Sequence, residues 1–379
     1  MELEYLKWKQ YFAQCAGKTE RFVAESLKEL GAKKCKENYR GVFFEAEEEV
    51  LYKIMANVRT VSRILAPFMI FTCHNTKYLY RKIKKFPWEN ILSEDDSFYI
   101  INSSSDSKIK HSLYASQVMK DGIVDRLREI RNIRPDVSSV NPDKTFYIRI
   151  RNNKVVAGID LVGRSLHKRG YRKESTEAPV IETLAAQIAE IVDWKGENEL
   201  YDPMCGSGTL LAEAYMRAAD IPVIKKNEMP TAVFLPGFDK YKWKRFITEA
   251  WEKSDDKNLV ISGSDISGKA VRAAETNLRE LAPNFNWNLK QMSYEDIKDL
   301  SNRTIIVNPP YGVRLQDKEE VKRLYGKFGD FLKQCCKGSA VWILTGDKSM
   351  SSCFGLRPSK KIPLVNGSLD SRLLKFEIY

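Results

Sequence analysis

The chain has 379 residues, enough for two or three domains with a sizeable core, and its 43% hydrophobic content is ordinary for a globular protein. Apolar runs such as Ala340–Leu344 are far too short to span a bilayer, the charged opening MELEYLKWKQ has no secretory core, and seven scattered cysteines form no CxxC or Cys/His ligand set. A reduced cytoplasmic protein with no membrane span and no metal is expected, and the net charge of +12 points to a polyanionic partner.

In chain order, Thr19 to Leu30 reads as a helix, with Phe22, Val23, Leu27 and Leu30 on one stripe and Gly31 as C-cap. A short strand over Gly41–Glu45 and a helix over Glu48–Leu65 complete a small α+β unit, residues 1–66. Residues 67–165 differ in character. KYLYRKIKKFPW sets Lys77, Arg81, Lys82, Lys84 and Lys85 among aromatics, and FYIINSSS reads as a strand leading into a polar loop. YASQVMKDGIVDRLREI is helical, with Val118, Ile123, Leu127 and Ile130 on one face and Lys120, Arg126, Arg128 and Arg131 off it. TFYIRIRNNKVVAGIDL alternates Phe146, Ile148 and Ile150 with Tyr147, Arg149 and Arg151, then turns at Asn152–Asn153, a hairpin signal. Such basic faces suit an RNA surface, and they equally suit two solvated faces.

Residues 166–179, within the polar and basic RSLHKRGYRKESTEAP, form a connector, and a helix follows from Val180 to Trp194. From there the order is strand, glycine loop, helix, strand, helix, the mark of a parallel α/β sheet over residues 180–379. In ELYDPMCGSGTLLAEA a strand ends at Asp202, a small-residue turn follows, and a helix starts near Thr209. Gly208 is not followed by the Lys of a Walker loop, and Leu211 occupies the third glycine position of a dinucleotide fingerprint. A carboxylate before a glycine turn suits a ligand with a cationic or amino-acid end, although such turns occur in many α/β proteins.

Ile221–Asn258 reads as an insertion with its own helix around Trp243–Trp251. The next strand ends at Asp265, an acid placed to hold a ribose diol, and a helix runs from Ser267 to Leu281. A third strand ends near Met292–Ser293, and a fourth, TIIV, runs into Asn308, Pro309, Pro310 and Tyr311. Ligands of open parallel sheets bind beyond the carboxyl ends of the strands, so Asp202, Asp265, Ser293 and Asn308 are expected on one rim. Asn308 would hold an amide oxygen rigidly there. The prolines fix φ and remove donors, which leaves the Pro309 carbonyl as a second acceptor. Tyr311 offers a plate for a planar ring. Two fixed acceptors beside an aromatic plate suit the exocyclic amine of a nucleobase; a Pro-Pro turn alone explains the prolines but not the amide.

The run NPPYG resembles the hallmark of S-adenosylmethionine-dependent amino-methyltransferases. With LHKRGYR, ETLAA and DPMCGSGTLLAEA in this order, and the opening YFAQCAGKTERFVAESLKELGA, the chain resembles the THUMP-domain RNA guanine-N2 methyltransferases, the bacterial 23S rRNA branch best of all. The resemblance implies an α/β fold, a Rossmann-like S-adenosylmethionine-dependent methyltransferase sheet (180–379), preceded by a ferredoxin-like unit (1–66), a THUMP RNA-binding domain (67–165) and a linker (166–179). It implies S-adenosylmethionine as cofactor, held by Asp202, Pro203, Cys205, Gly206, Ser207, Gly208, Asp265, Ile266, Ser293 and Asn308, with Glu182 or Thr183 near its carboxyl end. Asn308, Pro309, Pro310 and Tyr311 would hold the target base. Lys82, Lys84, Lys85, Arg126, Arg131, Arg149, Arg151, Lys168, Arg169 and Arg172 would bind RNA phosphates. Ser293 stands where the family carries an adenine-binding Asp, and Glu295 or Asp296 is the alternative acceptor. The chain stops at Tyr379, so the second methyltransferase domain fused in some relatives is not expected. The expected protein is a monomeric enzyme acting on rRNA or tRNA; DNA adenine-N6 or protein glutamine methylation and a non-catalytic RNA-binding assembly factor are the alternatives.

Overall fold

β-Branched and aromatic residues build most strands of the first sheet. The computed structural model describes residues 3–176, 180–310, 318–346, 348–367 and 369–379. In chain order the first elements are α1 (Glu4–Trp8), β1 (Gln10–Gln14), α2 (Glu20–Glu29), β2 (Lys33–Asn38), β3 (Gly41–Glu45), α3 (Glu48–Asn57), β4 (Arg63–Thr72), α4 (Thr76–Lys84), β5 (Ser97–Ser105), α5 (Ser112–Arg131), β6 (Asp136–Val137), β7 (Lys144–Arg151) and β8 (Lys154–Asp160). The strands form one eight-stranded sheet in the order β2-β3-β1-β4-β8-β7-β5-β6. They belong to a compact unit made of the chain up to Cys15, Val23–Leu166 and Ile224–Thr248.

Two expectations change here. The helix read over Glu48–Leu65 stops at Asn57, because Ile64 and Leu65 are taken by β4, which pairs with β1 on one side and β8 on the other. The division expected between residues 66 and 67 falls inside that strand. Ser103–Ser105, read as loop, continue β5 and pair in parallel with Arg149–Arg151; a strand with one solvated face carries polar side chains without leaving the sheet. The hairpin turn lies where expected, with Asn152 and Asn153 at φ +48° and +61°.

The remaining elements are α6 (Glu182–Val192), β9 (Leu200–Asp202), α7 (Thr209–Ala218), α8 (Lys240–Glu252), β10 (Ile261–Asp265), α9 (Gly268–Leu281), β11 (Asn288–Gln291), β12 (Thr304–Val307), α10 (Lys318–Cys335), β13 (Ala340–Thr345), β14 (Lys360–Asn366) and β15 (Leu369–Glu377). Their seven strands form a second sheet in the order β11-β10-β9-β12-β13-β15-β14, in the unit comprising Ala16–Phe22, His167–Val223 and Glu249–Tyr379. The pairs from β11 to β13 are parallel, and β15 runs antiparallel between β13 and β14. Sequential strands fan outward from β9, so its junction with β12 is a topological switch point, where such sheets open a crevice. α10 seals one face of the sheet, burying Val321, Tyr325, Phe328 and Leu332 with Ile305, Val307, Val341 and Ile343. Among the described residues no helix is long and apolar enough to cross a membrane.

Candidate active site at the carboxyl edge of the second sheet

β9 ends on Asp202, and the chain turns through Pro203–Gly208 into α7. Gly206 and Gly208 take φ +55° and +79°, a region that strains any side chain. At Gly208 an added Cβ would also lie 3.2 Å from Ala274 and Leu278 side-chain carbons. Asp202 is buried, and its Oδ1 accepts from the Met204 N–H at 3.0 Å. Burial pushes its carboxyl well above the usual range, with the nearby Asp265 charge adding to the rise. Asp265, at the tip of β10, spans the next gap: Oδ2 accepts from the Gly206 N–H at 3.0 Å and Oδ1 from the Ser267 N–H at 2.9 Å. Each oxygen retains a lone pair for an incoming donor.

These tips open onto a cavity of about 520 Å³. Pro203, Met204, Gly206, Asp265, Ile266, Ser293, Tyr294, Glu295, Asn308 and Pro310 line it, with Glu320, Arg323, Leu324 and Lys327 from α10. Asn308 follows the last residue of β12, and its Oδ1 is buried with no hydrogen-bond partner among the described residues. Ile266 is 73% exposed and gives the wall an apolar surface. Ser293 Oγ accepts from the Glu295 N–H at 3.3 Å, which leaves the hydroxyl hydrogen to donate outward. Glu295 lines the wall 3.2 Å from Lys327, whereas Asp296 does not line it. Of the expected cofactor residues, Pro203, Gly206, Asp265, Ile266, Ser293 and Asn308 meet here. Asp202, Cys205, Ser207 and Gly208 do not line the cavity; they shape the turn beside it. Pro309 is buried and Pro310 lines the wall, while Tyr311 lies outside the described residues.

Residues 169–375 match the RMKL-like methyltransferase domain, residues 73–160 the THUMP domain and residues 10–65 the RlmL ferredoxin-like domain. The chain belongs to the RMKL-like methyltransferase family. It is 32% identical over 381 residues to a Synechocystis protein provisionally named RNA methyltransferase slr0064, covering 97% of each. It is also 32% identical over 391 residues to ribosomal RNA large subunit methyltransferase K/L of Cellvibrio japonicus, covering 97% of this chain and 51% of that one. The chain thus spans about half the length of its K/L relatives. The crystal structure of SMU.472, provisionally a methyltransferase and complexed with SAH, matches with a TM-score of 0.85 at 31% identity over 98% of each chain. S-adenosylmethionine is the cofactor of this fold, and the wall suits it: a strand-tip carboxylate with spare lone pairs beside a glycine turn, an apolar plate at Ile266 and an unpartnered amide oxygen across the cavity.

In this RMKL-like domain the basic connector does structural work that its sequence conceals. Arg169 is buried against Glu213, with Nε 3.3 Å from Oε1, and the Tyr171 hydroxyl donates to the same oxygen at 3.0 Å. Arg172 donates to the Thr209 Oγ1 at 2.8 Å and the Val180 carbonyl at 2.7 Å, and lies 3.4 Å from Glu182. Thr209 and Glu213 stand one turn apart on α7, so two arginines three residues apart grip one helix face. Buried Asn277 of α9 finishes the strap. Its Oδ1 accepts from the Lys173 and Glu174 N–H groups at 2.7 and 2.9 Å, and its Nδ2 donates to the Glu174 and Ser207 carbonyls at 2.9 and 3.1 Å. Arg169 and Arg172 therefore do not present phosphate contacts, contrary to expectation, and Glu182 faces Arg172 rather than the cavity.

The other basic residues divide. Lys84 sits 2.5 Å from Glu129, and Arg126 holds Glu89 through two bonds of 2.6 and 3.1 Å, so these two charges are already matched. Lys82, Lys85, Arg131 and Lys168 are exposed. A hollow of about 830 Å³ between α4 and α5, lined by Tyr80, Arg81, Tyr114, Lys120 and Arg128 among others, has the larger volume but no strand-tip acceptors. Among the described residues no cluster of His, Cys, Asp and Glu could hold a metal ion.

Proposed function

We propose that the protein transfers a methyl group from S-adenosylmethionine to N2 of guanine in RNA, with 23S rRNA as the substrate. The observation that carries the reading is the orphaned Asn308 Oδ1 on the wall it shares with Gly206 and Asp265. A buried acceptor without a donor costs about 1–3 kcal/mol, so its position is explained by a donor that arrives with the substrate. An exocyclic amine is such a donor. Asn308 Oδ1 takes one hydrogen and the Pro309 carbonyl the other, which directs the nitrogen lone pair away from the protein and toward the glycine turn.

The cofactor supplies an electrophilic methyl group when bound. Asp265 would offer its spare lone pairs to the ribose hydroxyls, and Ile266 and Ser293 on the same wall would hold the adenine. The amine nitrogen so held would take the methyl that the cofactor supplies, and its surplus proton would pass to water at the cavity mouth. Stacking by Tyr311 holds a base that is unpaired or flipped out. The THUMP match and the rRNA names of the K/L relatives support RNA as the substrate. Methyl-labelled cofactor with separated 23S rRNA, tRNA and DNA, followed by nucleoside mass spectrometry, tests this. N2-methylguanosine in 23S rRNA is expected. Label in tRNA moves the substrate, N6-methyladenine in DNA overturns the guanine reading, and no transfer at all favours an assembly factor.

A further inference from the structure

α10 has two working faces. Val321, Tyr325, Phe328 and Leu332 are buried against the sheet, whereas Glu320, Arg323, Leu324 and Lys327 follow the spacing of a second helix stripe and line the cavity. The two ion pairs on this wall differ. Lys327 Nζ donates to Glu295 Oε1 at 3.2 Å and is engaged there. The Arg323 guanidinium lies 3.9 Å from Glu320 Oε1, beyond hydrogen-bonding reach, and neither side chain makes a hydrogen bond among the described residues. A carboxylate and a guanidinium one turn apart, with lone pairs and N–H groups unspent, thus share the wall that holds the orphaned Asn308 Oδ1.

The balance of charge decides what such a wall can meet. Asp265, Glu295 and Glu320 stand there against Arg323 and Lys327, so a phosphate would be repelled as well as attracted. A neutral edge that both donates and accepts suits it better. Along its Watson–Crick edge, guanine presents a donating amine, a donating N1–H and an accepting O6. Adenine sets a bare N1 acceptor beside its amine, and cytosine a bare N3; either would turn a lone pair toward a carboxylate. Uracil has no amine. Two acceptors and one donor, from Asn308, Glu320 and Arg323, therefore match guanine alone among the four RNA bases.

We propose that Glu320 and Arg323 determine base specificity at this site. With the 2-amino group held at Asn308, Glu320 accepts from guanine N1–H and Arg323 donates to O6. A site built to hydrogen-bond an edge rejects a base lacking it, because its own polar groups are then left unpaired. The assignment rests on the methyl-transfer reading above, and it adds the means by which guanine is told from adenine.

Single-turnover methyl transfer by the full chain tests it, with a synthetic RNA spanning the methylated guanine and the same RNA with 2-aminopurine at that position. 2-Aminopurine keeps the 2-amino group but has a bare N1 and no O6. The wild type should prefer guanine about a hundredfold. Glu320→Ala and Arg323→Met should each lower transfer to guanine about tenfold to a hundredfold, and transfer to 2-aminopurine far less, so the preference shrinks. Glu320→Gln keeps an acceptor oxygen and should recover part of the guanine rate. Both side chains are more than half exposed, so melting temperature and cofactor affinity by calorimetry should stay at wild-type values. Equal loss on the two bases marks a phosphate contact, and an unchanged preference marks no contact; either overturns the assignment. The two readings fail separately. Guanine methylated by the wild type, with the preference intact in the variants, sinks only the roles of Glu320 and Arg323. No transfer to guanine by the wild type sinks the methylation reading and this assignment with it.

Discussion

Asn308 is the residue on which the chemistry turns, and its isolation makes it testable. Because its Oδ1 has no partner among the described residues, Asn308→Ala deletes an acceptor without stranding a donor. Folding should therefore hold, and cofactor affinity by calorimetry should stay within a few-fold. Single-turnover methyl transfer should fall by roughly 10²–10³, the loss typical of one positioned polar group in a reacting site. A near-normal rate would remove the two-acceptor mechanism. Such residues were legible in the sequence because polar groups at the ends of apolar strands stand out. Asp202 was visible for the same reason, yet the structure buries it with Oδ1 taken by the Met204 N–H, since periodicity gives a residue's place on a strand but not which side of a turn it faces. Arg323 and Lys327 went unread; they reach the cavity from α10, whose apolar spacing marks a helix but not what its polar side overlooks.

At the scale of elements, the connector and α7 form a unit whose charges a linear reading separates. Arg169 and Glu213 are 44 residues apart, so a run of lysines and arginines reads as solvated until the fold brings in the carboxylate. Breaking a buried pair by removing one partner costs about 3–5 kcal/mol, because the other charge stays buried and unmatched. Glu213→Gln should lower the melting temperature sharply and weaken cofactor binding, since α7 carries the glycine turn. Arg169→Met/Glu213→Leu should recover most of the stability. A single variant as stable as the wild type would show that the strap contributes nothing. A second element pair gives a pH signature. The bidentate bond from Arg126 of α5 holds the Glu89 carboxyl below its usual range, against the opposing effect of partial burial. A depressed carboxylate contributes stability that is full above the ordinary glutamate pKa of about 4.3 and is lost as pH falls through the folded value. Glu89→Gln should thus cost about 1 kcal/mol in urea unfolding at neutral pH, with the difference closing toward pH 3.

At the scale of the whole molecule, the alternation of strands and helices after Val180 announced the parallel sheet, because buried strands and amphipathic helices have distinct periods. The continuity of the first sheet was hidden. β2 reads KKCKEN, with no apolar alternation, and β4 begins where helical spacing still persists, so neither announces its place in an eight-stranded array. The net charge of +12 is legible but does not say which cations are free to bind a polyanion. α4 separates the cases within a few residues of its end. Lys82 and Lys85 are exposed, while Lys84 is held by Glu129. Single-stranded RNA releases counterions in proportion to the phosphates neutralised, with a slope near −0.7 per contact. Lys82→Gln/Lys85→Gln should therefore flatten the plot of log affinity against log salt by about 1.4 if both lysines contact phosphate. Lys84→Gln should change that slope by less than either exposed lysine, because its charge is already offset by Glu129. Equal slopes for all three single variants would mean that the ion pair opens in the complex, and that charge counting on the free protein misjudges this helix.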